Sequence, residues 1–235
     1  MTLPKINAPV FTVKLPSSGE TVNFRPFTVK EEKILLMAAS SEDASQIVTS
    51  LGQIVNNCCF DLKVEGLATF DVEYLFMQIR SKSVGNIITV TVNDEEGGEE
   101  NIRKAEVDLD KLEVVFPEEI SNEIKLDDNV TMFMKYPKFK SIDDLSDSVS
   151  DTPEVTVFRT GVDKLIVNDE VLSFSDYSDS DIELFVDSFT TKNMKDVQDF
   201  FANIPYLKAK AVTLVEKEGD EVREVDIVGL TSFFM

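Results

Sequence analysis

The sequence predicts an α+β protein built from antiparallel β-hairpins with packed helices, arranged as two similar helix-plus-hairpin halves. Runs of alternating apolar and polar residues flank short turns, which is typical of hairpins. Longer segments carry apolar residues at spacings of three and four, which is typical of helices with one buried face. Because short turns join neighbouring strands, the sheets are expected to be antiparallel. Hydrophobic residues make up 43% of the 235 residues, so the chain is able to bury a substantial core.

Turn and capping signals locate the elements of the first predicted half. A turn containing Gly19 separates the first two alternating runs, and Thr28 stands three residues before Glu31, as in a capping box. Thr69 is a candidate N-cap for a later helix, and the apolar period changes to two at Ile87–Val92. The elements predicted within residues 1–145 are a hairpin over 11–24, helices over about 28–59 and 69–83, a hairpin over about 86–109 and a strand over about 130–136.

The second predicted half begins with a loop over Ser146–Pro153. The segment Val155–Val167 has apolar residues at helical spacing, although its β-branched residues are less favourable in helices. Ser180 and Glu183 fit a second capping box. The elements predicted within residues 146–235 are helices over about 155–202, which end before Pro205, and a hairpin over about 209–228.

A helix followed by a hairpin occurs twice along the chain. The first copy runs from Thr69 to Val114, and the second runs from Asn193 to Phe234. Two copies of one unit indicate an internal duplication, which is why the chain is divided into two halves.

Composition and charge exclude several classes of function. The 44 acidic residues outnumber the 23 Lys and Arg residues, and the net charge of −21 repels nucleic acids and anionic membranes. The absence of histidine excludes Ser-His and Cys-His nucleophile pairs. The adjacent Cys58 and Cys59 are predicted to be free core thiols, in keeping with a reducing cytoplasm. The N-terminus has neither the basic nor the apolar region of a signal peptide, and the longest plainly apolar run, Ile34–Ala39, is too short to span a bilayer.

The acidic clusters are poor candidates for chemistry. Asp176–Asp187 places oxygen side chains at several positions of a calcium loop, but Asp181 stands where the loop needs glycine. The acids in Asn93–Glu100 occupy a predicted exposed turn, where all of them would stay ionised. No glycine-rich phosphate loop occurs. We therefore predict no catalytic, cofactor-binding or metal-binding residues, and no cofactor.

Two kinds of side chain are candidates for binding a partner protein. The pairs Phe200–Phe201 and Phe233–Phe234 fit either a core or an exposed docking patch. Between Lys140 and Asp187 there are 13 acidic and three basic residues, so this stretch is expected to favour basic partners. The candidate partner-binding residues are Phe233, Phe234, Asp176, Asp179 and Asp181.

Several strings of the sequence carry a family resemblance. They are LPKINAPVFTVKLPSSGETVNFRPFTVKEEKILLMA at Leu3–Ala38, FDVEYLFMQIRSKSVG at Phe70–Gly85, FFANIPYL at Phe200–Leu207 and VGLTSFF at Val228–Phe234. In these strings the chain resembles the T4-type bacteriophage (myovirus) baseplate hub subunit and hub assembly protein family. The resemblance covers most of the chain and is weakest across the acidic stretch.

The resemblance implies that the chain helps to build the central hub of a contractile-tail baseplate. It also implies cysteine pairs that form zinc ribbons in the hairpin tips of many relatives. The corresponding tips here, Asn93–Glu100 and Glu216–Glu221, contain no cysteine, so zinc is not carried over. We expect both tips to be mobile unless a partner holds them.

Charge pattern and resemblance together predict a non-enzymatic hub protein that acts through protein–protein contacts. Its expected partners are hub or tail-lysozyme-type baseplate subunits, and its expected location is the host cytoplasm during assembly and the virion tail baseplate. Whether it is a structural subunit or an assembly factor stays open, and so does homo-oligomerisation. The alternatives are a dedicated chaperone that is absent from the mature virion, and an acidic divalent-metal-dependent hydrolase.

Overall fold

The structure is a computed structural model that describes residues 6–40, 44–96, 99–117, 121–139, 153–215 and 221–229. Every strand pairing among these residues is antiparallel, which confirms the predicted α+β class. The described helices are α1 (Val29–Ala39), α2 (Ala44–Cys58), α3 (Thr69–Val84), α4 (Pro153–Gly161), α5 (Asp179–Asp187) and α6 (Thr191–Ala202). The described strands are β1 (Phe11–Lys14), β2 (Thr21–Phe24), β3 (Ile87–Glu96), β4 (Glu99–Asp108), β5 (Glu113–Val115), β6 (Glu123–Lys125), β7 (Val130–Met134), β8 (Val162–Val167), β9 (Glu170–Leu172), β10 (Tyr206–Thr213) and β11 (Glu224–Val228).

The chain folds as two compact units. The first unit contains Met1–Val64, Phe70–Val115 and Tyr206–Met235, and the second contains Glu65–Thr69 and Phe116–Pro205. This division differs from the expected halves 1–145 and 146–235, because β10 pairs with β4 and β5 and so joins the C-terminal hairpin to the first unit. The loop predicted over Ser146–Pro153 lies outside the described residues except for Pro153, where α4 begins. The internal duplication stays a prediction.

The first unit combines two antiparallel sheets with α1, α2 and α3. The β1–β2 hairpin has the predicted turn, in which Gly19 adopts a φ of 72° that favours glycine. The larger sheet has the order β11-β10-β4-β3, with β5 also paired to β10. Buried side chains come from both sheets and from α2 and α3, as in Phe24, Leu51, Ile54, Phe76, Ile79, Val107 and Leu207. These elements confirm the hairpins and helices that periodicity predicts for this part of the chain.

The second unit packs helices against a four-stranded sheet of order β6-β7-β8-β9. The core faces of the sheet and helices supply one hydrophobic cluster. Its most buried members are Met132, Met134, Val155, Phe158, Val162, Ile182 and Val197. The predicted strand near 130–136 is confirmed as β7.

The first of the helices predicted within 155–202, over Val155–Val167, is wrong in its second part. Helix α4 ends at Gly161, and Val162–Val167 forms β8, which turns into β9 through Asn168 and Asp169. Both turn residues have positive φ, 48° and 70°, as a two-residue hairpin turn of type I′ requires. The β-branched residues of this segment therefore form a strand, although their spacing also fits a helix.

The later helix starts also differ in detail from the prediction. Helix α5 begins at Asp179, and its capping box consists of Ser178 and Asp181. The predicted pair of Ser180 and Glu183 is therefore wrong by two residues. Helix α6 has a comparable box in Thr190 and Asn193. In each case an oxygen side chain satisfies amide groups that the helix itself leaves unpaired.

Replacing Gly161 by alanine should lower the free energy of unfolding by about 1 to 2 kcal/mol, the cost of overpacking a filled site. A Cβ atom at position 161 would overlap the ring of Phe201 on α6. Urea unfolding of Gly161→Ala, Phe201→Ala and the double variant measures the coupling between the two sites. The alanine at 161 should cost much less in the Phe201→Ala background, and an unchanged cost would show that the ring is not responsible.

Candidate partner-binding site

An apolar pocket opens in the second unit between the β7–β9 part of the sheet and α5. Its volume is about 390 Å³. The lining side chains are Val130, Leu165, Val167, Leu172, Phe174, Tyr177, Asp181, Ile182 and Phe185. The volume falls within the range of binding pockets, and the lining is apolar or aromatic except for Asp181.

Strand register explains why apolar side chains line this pocket. Val130 pairs with Val167, and Leu165 pairs with Leu172, so these four side chains share one face of the sheet. The opposite face of β9 carries Val171, whose side chain is 65% exposed. Helix α5 covers the core face with Ile182, and the space that remains between it and β9 is the pocket.

Arg159 fixes the segment that forms the pocket rim. Its Nη2 and Nε donate to Asp179 Oδ1 at 2.6 and 2.9 Å. Its guanidinium also donates to the carbonyl oxygens of Phe174 at 3.0 Å and Tyr177 at 2.8 Å. These contacts connect the loop before α5 to α4 and so stabilise the backbone of the rim.

Asp181 holds the start of α5 while lining the pocket. Its carboxylate accepts from the backbone amide of Ser178 at 3.1 Å and from the Ser178 hydroxyl at 2.6 Å. These hydrogen bonds lower the pKa of Asp181, so the carboxylate carries its charge at neutral pH. The pocket therefore has one fixed negative charge among apolar neighbours.

The structure brings the three predicted aspartates together on one segment. Asp181 lines the pocket, Asp179 binds Arg159, and Asp176 is the last residue of a short 3-10 helix, Phe174–Asp176. Asp179 and Asp181 thus have structural partners, which the sequence did not indicate. The predicted Phe233 and Phe234 lie outside the described residues.

The surroundings of the pocket are acidic. Residues 159–187 contain eight acidic and two basic residues. Of the two bases, Arg159 is paired with Asp179, and Lys164 lies over the ring of Phe133 at 5.0 Å. The electrostatic potential near the pocket is therefore expected to be negative, and it would attract cationic groups.

A second recess in the same unit is more polar. It has a volume of about 790 Å³, and its lining includes Asn122, Lys135 and Asp163 beside Tyr136 and Phe200. The mixed lining offers less apolar surface for affinity, so the smaller pocket is the stronger candidate.

The cysteines belong to the core, as predicted. Both Cys58 and Cys59 are free and buried. Burial raises the pKa of Cys58 to about 11 and the pKa of Cys59 to about 12, so both stay as unreactive thiols at neutral pH.

The predictions on metal binding, membrane helices and hairpin tips can be compared with the described residues alone. Within the described ranges, no cluster of three or more acidic or cysteine side chains is placed to hold a metal ion. None of the helices that the structure describes is both long and apolar enough to cross a bilayer. Of the two predicted tips, Gly97, Gly98 and residues 216–220 lie outside the described residues.

An acidic α+β fold with an apolar pocket has the features of a protein that binds other proteins. Residues 8–235 match the family model described as "T4 bacteriophage base plate protein", and the chain belongs to this family. No curated protein and no solved structure matches the chain. Membership confirms the resemblance at the level of the baseplate, while the assignment to the hub stays a prediction.

Proposed function

We propose that this protein is a non-enzymatic component of the baseplate hub that acts through protein–protein contacts, as a structural subunit or an assembly factor. The observation that carries this proposal is the apolar pocket of the second unit, set in acidic surroundings, in a chain of the T4 baseplate family. An apolar pocket supplies affinity, and charge around it supplies specificity and fast association. Its partners would be other baseplate proteins, and its working location the tail baseplate.

The roles of the aspartates support binding in preference to catalysis. Asp179 is engaged by Arg159, and Asp181 caps α5. A general acid–base pair needs two carboxyl groups that face a substrate with different pKa values. These two carboxylates instead stabilise the local backbone.

Quantitative mass spectrometry of purified virions and of infected-cell lysate tests the proposal, with a known hub subunit as internal standard. A fixed whole-number ratio to the hub subunit in particles would identify a structural subunit. Abundance in lysate, in complex with a hub subunit but absent from particles, would identify an assembly factor that departs. A chain that is found in neither context with a hub subunit would contradict the proposal.

The same complexes should be sensitive to salt. Raising the ionic strength from about 0.05 to 0.5 M shortens the distance over which charges interact to a few ångströms. We expect the added salt to weaken the complex with a hub subunit more than it weakens a control complex between uncharged surfaces. The association rate measured by stopped flow should also fall. A complex whose association rate does not change with salt would contradict the electrostatic part of the proposal.

A further inference from the structure

We infer that the apolar pocket of the second unit binds an apolar side chain carried by a positively charged segment of a baseplate partner. The inference rests on the proposed function for the source of the partner, but it concerns one defined surface. That surface consists of the pocket between β9 and α5 and the acidic residues around it.

The shape and lining of the pocket indicate which kind of side chain it binds. The cross-strand pairs Val130–Val167 and Leu165–Leu172 form an apolar floor, and Phe185 of α5 forms part of the wall. An apolar side chain that enters the pocket removes its own surface and these side chains from water. A polar side chain in the pocket would lose most of its hydrogen bonds with water. The lining could not replace them, because Asp181 is its one carboxylate.

The charge around the pocket indicates which residues flank the inserted side chain. The stretch 159–187 has a net charge of −6, from eight acidic and two basic residues, and both bases contact other groups of the protein. Lys or Arg residues beside the inserted side chain would meet Asp176 and Glu170, which are exposed. A second copy of this chain carries a charge of −21 and would be repelled, so the partner is a different, basic segment.

Hydrogen bonds within the chain hold the rim in the absence of a partner. Arg159 holds the carbonyl oxygens of Phe174 and Tyr177, and the capping box of Ser178 and Asp181 holds the next residues. Binding to such a surface does not require these backbone groups to be ordered first, which lowers the entropic cost.

A peptide array tests the inference. Overlapping segments of all the baseplate proteins of the same phage are probed with the full-length chain and with its variants Leu172→Asp and Val171→Asp. The two positions are neighbours on β9 and point to opposite faces, so Val171→Asp is a matched control for charge and strand position. Peptides that lose binding with Leu172→Asp and keep it with Val171→Asp should contain an apolar residue flanked by Lys or Arg.

Two charge variants at exposed positions test binding without replacing a side chain of the apolar core. Glu170→Lys reverses a charge on β9, while Glu123→Lys reverses one on β6 at the other edge of the sheet, about 14 Å away by strand spacing. For a selected peptide, Glu170→Lys should weaken binding by about tenfold at low salt, and Glu123→Lys should have less than about a twofold effect. Binding of that peptide to the wild-type chain should shift the methyl NMR signals of Leu172 and Ile182.

Three results would overturn the inference. The first is an array in which no bound peptide distinguishes Leu172→Asp from Val171→Asp. The second is a set of selected peptides with acidic flanks. The third is an equal effect of Glu170→Lys and Glu123→Lys on peptide binding. If selective basic peptides come from baseplate proteins outside the hub, the inference holds and the hub assignment fails.

Discussion

Replacing Glu31 by alanine should lower the free energy of unfolding by about 3 kcal/mol at neutral pH, because the variant loses a partly buried ion pair and a helix-capping group together. Glu31 is only 4% exposed, yet its carboxylate is fully engaged. It accepts from the backbone amide of Thr28 at 2.8 Å, from the Thr28 hydroxyl, and from Arg25 Nη2 at 3.1 Å. Removing it would leave the Arg25 guanidinium without its carboxylate and the start of α1 without its cap.

Arg25 extends the effect of this substitution beyond α1. The same guanidinium donates to the carbonyl oxygens of Pro26 at 2.9 Å and Asn57 at 3.0 Å. Asn57 lies in the last turn of α2, where a cation is favourable because of the unpaired carbonyl groups. Glu31 thus orients a side chain that connects the end of β2 to α1 and α2.

The effect of Glu31 should disappear at low pH. Burial opposes ionisation, but the hydrogen bonds from Thr28 and Arg25 outweigh it and lower the pKa of Glu31 from 4.5 to about 2. Because the folded-state pKa is the lower one, the stabilisation is complete above about pH 4.5 and is lost as the pH falls through about 2.

Urea unfolding of wild type and Glu31→Ala at several pH values between about 2 and 7 measures this contribution. The difference in free energy should narrow steadily below about pH 4.5. Glu32→Ala, which removes an exposed glutamate one position later in the same helix turn, is the matched control and should cost less than about 0.5 kcal/mol. Equal costs for the two variants would contradict the role assigned to Glu31.

Local signals in the sequence predict most of the fold. Thr28 with Glu31, Gly19 in its turn and the alternating run at β3 each indicate one element, because turn and cap chemistry acts over a few residues. The segment Val155–Val167 is ambiguous, since its apolar residues fit a helical period and its β-branched residues fit a strand. Residues Val162–Val167 form a strand because they pair with β7, and this pairing is a tertiary contact that local sequence signals do not contain.

The pocket could be predicted only in part for the same reason. Asp176, Asp179 and Asp181 are visible as an acidic run, but their roles depend on Arg159, which lies 20 residues before Asp179. The floor of the pocket depends on a β8–β9 hairpin, whose only local signal is the pair Asn168-Asp169. Recognising that pair as a type I′ turn would have placed Leu165 and Leu172 opposite each other.

Replacing Glu73 by glutamine should raise the free energy of unfolding by about 2 kcal/mol at pH 8.5 and leave it nearly unchanged at pH 5. Glu73 lies on α3, and burial raises the pKa of its carboxyl group from 4.5 to about 7. Because the folded-state pKa is the higher one, the wild-type protein loses stability as the pH rises from about 4.5 through about 7. Glutamine has nearly the same shape without the ionisation, so the variant should not show this loss.

Urea unfolding of Glu73→Gln and wild type at pH 5, 7 and 8.5 measures the predicted gain. Glu65→Gln, an exposed glutamate before the same helix, is the matched control and should follow the wild type at every pH. A gain at pH 5 as large as at pH 8.5 would mean that glutamine improves packing or hydrogen bonding, and the ionisation of Glu73 would then not be the cause. A gain that grows with pH would show that α3 holds a carboxyl group whose ionisation opposes folding near neutral pH.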